Sequence, residues 1–244
     1  NPSSYSSKFI QQASTELVNH FDRLSINIFL SFIKLLITSN NPNFQAFVIL
    51  IILNTNTNID LIANDFIKND YLELLFNLNT GLFDISDQKI ISFHMSVFEL
   101  MNFLSIDSNF QLYSRKKLCL IFNQVQQSPQ VAATLLYLSF TYCPSLYDIE
   151  NNDHLFDHIF NIISFNKDFK GEDITPYKKL FLVTLIKIFQ VKNSMISILK
   201  SQFSCDMFVL LLLIKPIENI SEHFFRHVIQ IISEEAVDYQ LFTN

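Results

Sequence analysis

Apolar residues recur at spacings of three and four along almost the whole chain, the period of a helix that buries one stripe of its surface. The pattern predicts thirteen helices, over residues 9–21, 26–37, 44–53, 59–67, 71–78, 90–104, 112–125, 131–142, 155–163, 177–191, 195–203, 207–214 and 224–232. Between them stand residues that stop one helix or start the next: Asn40-Asn41-Pro42, Asn79-Thr80-Gly81, Ser128-Pro129, Asn151-Asn152-Asp153, Lys170-Gly171 and Lys215-Pro216. Ser86, Asp173 and Ser221 occupy expected N-cap positions, where a side-chain oxygen satisfies a free amide of the first turn. No stretch requires a strand, and no Ser/Pro-rich linker or shift in composition marks a second domain. Residues 1–244 are therefore read as one all-α domain.

Two greasy runs raise the question of a membrane span. No charge appears between Lys34 and Asp60, but TSNNPNF interrupts that stretch, and MFVLLLLI at 207–214 is held between Asp206 and Lys215. Both runs fall short of the ~20 apolar residues a bilayer requires. They are expected to be buried helices.

The chain also repeats itself. NDYLELLFNL at 69–78 is echoed by NDHLFDHIFNI at 152–162, with the Asn-Asp pair recurring after 83 residues and the Phe-Asn pair after 84. Each copy is followed by a glycine, an acidic stretch and a long apolar helix. A second echo joins FIKLL, LMNFL, LIKIF and VIQII, whose central polar residues Lys34, Asn102, Lys187 and Gln230 lie 68, 85 and 43 residues apart. Intervals near 42 and twice 42 fit a unit of two or three helices, the length scale of helical repeats.

VFELMNFLSID at 97–107 resembles the third helix of an armadillo repeat, with Asn102 at the family's Asn position, and VAATLLYLSF at 131–140 is a looser match that puts Tyr137 near it. The resemblance to armadillo and HEAT proteins covers residues 59–233. It implies a right-handed α-solenoid, with residues 1–58 as N-terminal capping helices and 234–244 as a C-terminal tail. It also implies a concave face that binds a partner protein or peptide segment. A polar side chain in the middle of an apolar helix is costly to bury unpaired, so Asn102, Tyr137, Lys187 and Gln230 are the expected partner-binding residues along that face. The chain departs from the family in lacking the usual glycine between the first two helices of each repeat. A compact helical bundle is the alternative arrangement.

Composition narrows the chemistry. With only two glycines, Gly81 and Gly171, the chain lacks the Gly-rich phosphate loop, the dinucleotide fingerprint and the serine elbow. A net charge of −6 disfavours nucleic acid as a partner. Cys119, Cys143 and Cys205 are widely spaced, without metal or redox spacing, and read as buried thiols of a cytoplasmic or nuclear protein.

Two histidine pairs, His154/His158 and His223/His227, have the i, i+4 spacing that places both rings on one helix face. Neither has the Glu of a zinc-protease helix, and Arg226 sits beside the second pair, so no metal or other cofactor is expected. Arg115-Lys116-Lys117 and Lys178-Lys179 read as solvated first turns of apolar helices, or as an electropositive spot for an acidic segment. Asp148–Asp157 and Glu234-Glu235 with Asp238 read as polar loop and helix surface. No nucleophile, acid or base stands out. The expectation is a non-catalytic interaction scaffold, with a helical regulatory or docking domain of a larger enzyme or complex as the alternative.

Overall fold

The computed structural model of the chain describes residues 12, 16, 26–39, 41–55, 58–76, 87–125, 128–148, 155–162, 176–188 and 191. They form nine α-helices: α1 (Ile26–Ile37), α2 (Pro42–Leu53), α3 (Ile59–Asn69), α4 (Tyr71–Phe76), α5 (Gln88–Leu104), α6 (Ser108–Gln124), α7 (Pro129–Tyr142), α8 (Leu155–Ile162) and α9 (Pro176–Ile188). A 3-10 turn follows α7 at Pro144–Leu146, and no strand occurs among the described residues. The fold is all-α. The helices expected at 195–203, 207–214 and 224–232 lie outside the described residues, and of the helix expected at 9–21 only residues 12 and 16, both helical, are described.

Each described helix matches an expected one. Several begin earlier than the apolar stripe does, because a first turn can be polar and still be helical. Pro42 and Pro129 open α2 and α7 at the position where a missing N–H costs nothing, and Asn41 caps α2 by accepting the Asn43 amide at 3.0 Å. Helix α5 is capped by Asp87, which accepts the Lys89 amide at 2.8 Å. The expected caps Ser86, Asp173 and Ser221 lie outside the described residues.

The chain divides into two compact units, Asn1–Lys117 and Leu118–Asn244, with the boundary inside α6. In the first unit α1 packs on α2 and α4, α5 packs on α2, α3 and α4, and α3 packs on α4. Phe29, Ile33 and Ile37 of α1 meet a core that includes Val48, Ile49, Ile51 and Ile52 of α2 and Val97, Phe98 and Met101 of α5. Burying each such side chain is worth about 1.5–3 kcal/mol. Gln45, the buried polar residue of α2, is satisfied because its Nε2 donates to the Ile37 carbonyl at 3.0 Å, closing the end of α1.

Between α3 and α4 the chain turns sharply at Asp70, which is left-handed at φ 53°. The hydrophobic pattern requires this break. Laid on one helix at about 100° per residue, Ile62, Ala63 and Phe66 would face one side and Tyr71, Leu72, Leu75 and Phe76 roughly the opposite one. The turn brings both sets into the core. A non-glycine residue in this region costs roughly 1–2 kcal/mol, and Asp is among the few types that adopt it routinely.

In the second unit α7 packs along α9 and also contacts the 3-10 turn and α8. Ala132, Ala133, Leu135 and Leu136 of α7, Phe181, Leu185 and Ile188 of α9, and Leu155, Phe156 and Ile159 of α8 are buried. The echo between α4 and α8 extends to burial. Tyr71, Leu72 and Leu75 are buried in the first, and Leu155, Phe156 and Ile159, each 84 residues further on, are buried in the second.

Candidate functional site

The best-defined polar cluster lies at the α3–α4 corner. Phe110, Tyr113 and Lys117 of α6 are three and four residues apart and so share one helix face. Phe110 meets the Phe66 ring edge-on at 6.2 Å between centroids. The Tyr113 hydroxyl donates to Asp70 Oδ1 at 2.5 Å, and Lys117 Nζ donates to Asp70 Oδ2 at 2.5 Å and to Glu73 Oε2 at 3.1 Å. Lys117 also stands 5.9 Å from the Tyr113 ring centroid. Asn69 supports the corner from inside, its Nδ2 donating to Asp65 Oδ1 at 2.8 Å.

The protonation preferences of the cluster reinforce one another. Burial by itself would raise the Asp70 carboxyl, but hydrogen bonds from Lys117 and Tyr113 outweigh it and hold the group below the ordinary carboxylate value. Burial would lower Lys117, but the Asp70 and Glu73 carboxylates outweigh it and hold the ammonium charged. Burial and the Asp70 carboxylate push the Tyr113 phenol up, and burial beside Asp65 does the same to Tyr71. None of these groups is moved toward pH 7, where acid–base catalysis works best. The cluster is a cross-link that pins α6 to the corner.

Asn102 is half-buried on α5, and Tyr137 is half-buried on α7. Lys187 is exposed in the last turn of α9, the helix that packs along α7. Asn102 belongs to the first unit and the other two to the second. Gln230 lies outside the described residues.

No family model matches this chain, and neither a curated protein nor a solved structure does.

The basic triplet departs from its expected place. Helix α6 begins at Ser108, so residues 115–117 are mid-helix and not a first turn. Lys116 is exposed, Lys117 is engaged by two carboxylates, and Arg115 is buried at 1% exposure. Three successive residues point 100° apart on a helix, so one run of cations enters three environments. The side chains of the second run, Lys178-Lys179, lie outside the described residues.

His94 is a core residue. Its Nδ1 donates to the Ile90 carbonyl at 2.8 Å, and Phe76 and Phe93 flank the ring at 6.0 and 5.8 Å. Burial lowers its pKa, and the hydrogen bond to Ile90 only partly opposes this. His158 is half-buried on α8, while its helical partner His154 and the pair His223/His227 lie outside the described residues. No group of three His, Cys, Asp or Glu among the described residues is placed to hold a metal ion. Cys119 and Cys143 are buried thiols, and Cys205 lies outside. Among the described residues no helix is long and apolar enough to cross a membrane, and the run at 207–214 falls outside them.

Proposed function

We propose that this chain is a non-catalytic interaction scaffold that binds a partner protein or peptide segment on the concave face of a right-handed stack of armadillo/HEAT-like helical repeats. Asn102, Tyr137, Lys187 and Gln230 line that face, and the protein works in the cytoplasm or nucleus. The observation that carries the reading is the position of the polar residues inside the apolar helices. Asn102 and Tyr137 stay half-buried and Lys187 exposed, while their apolar neighbours Met101, Leu104, Leu136, Leu138 and Ile188 are buried. A polar side chain kept at the surface of an otherwise apolar helix is available to a partner without a desolvation penalty inside the core.

Affinity capture with the wild-type chain and with the double variant Asn102→Ala/Lys187→Ala, followed by mass spectrometry of the bound proteins, tests this reading. The expected result is a protein set retained by the wild type and lost by the variant, with both melting at the same temperature. Equal retention by the two would overturn the groove assignment.

A further inference from the structure

We draw no further inference here: the strongest candidate, the outer face of α1 where Ile28 and Leu35 are exposed and the Ser31 and Thr38 hydroxyls are turned back onto the helix's own carbonyls, is an apolar face for which nothing in the structure shows what covers it.

Discussion

The first unit uses charge, and leaves it partly open to water, where the second uses a closed neutral contact. At the α3–α4 corner, Asp70 receives a phenol and an ammonium from residues 43 and 47 positions away, and its carboxylate side chain is 43% exposed. At the end of α7, the Ser139 hydroxyl in the helix and the Tyr147 hydroxyl beyond it meet at 2.6 Å only eight residues apart, both fully buried, and the Tyr147 ring lies against Phe140 at 5.3 Å and Phe156 at 6.3 Å. The corner joins distant helices, and so must overcome a longer loop closure with interactions that solvent weakens. The hydroxyl pair closes a short turn and gains its strength from the packed ring around it.

The largest expected effect falls on the closed contact. Tyr147→Ala removes a buried ring and should cost about 3–5 kcal/mol of unfolding free energy in a denaturant titration, as truncations of large core side chains do. Tyr147→Phe keeps the ring and should cost only about 1 kcal/mol, the net worth of a typical hydrogen bond. If the two variants cost the same, the ring packing is not what holds the turn.

Asp70→Asn keeps a residue that tolerates the left-handed corner but removes the charge, and should cost about 1–2 kcal/mol, in the range of hydrogen bonds to charged groups after allowance for exposure. The loss should be pH-dependent in a stated direction. Because the folded Asp70 carboxyl sits below its ordinary value, its contribution is fully present above about pH 4 and disappears as pH falls through the folded value. Wild type and Asp70→Asn should therefore converge in strong acid. A gap that persists there would mean that Asn fails at the backbone turn and that the ion pair contributes little.

His94 gives the first unit a second acid response. Its folded pKa is lowered by burial, so at high pH both folded and unfolded forms are neutral. As pH falls below about 6.5 the unfolded chain takes up the proton first, and stability drops until the folded value is reached. His94→Gln should flatten the stability profile just below about pH 6.5, and an unchanged slope there would remove His94 as its cause. The smallest effect belongs to Glu73, whose side chain is 70% exposed. Glu73→Gln should cost under about 0.5 kcal/mol and nothing in high salt.

Much of the helical architecture was legible because a 3.6-residue apolar period is a local property. The residues 26–37 read as a helix and form one with the same ends. The start of α6 was not legible, since SNFQ at 108–111 carries a single apolar residue and helical period needs more than one turn to register. Tyr113 and Lys117 could be placed on one face from their spacing. Their common partner Asp70 could not, because that pairing depends on packing between helices far apart in sequence. Arg115 shows the same limit from the other side, since a cation beside two lysines reads as solvated until the packing around it is known.

Asn102, Tyr137 and Lys187 are proposed to face a bound partner. Site-specific photo-crosslinking tests it most directly, with a photoreactive amino acid placed singly at 102, 137 or 187 and, as a control, at the exposed position 116. The first three positions are expected to capture one and the same protein, and position 116 is not. Crosslinks from 116 alone, or different proteins at 102, 137 and 187, would contradict it.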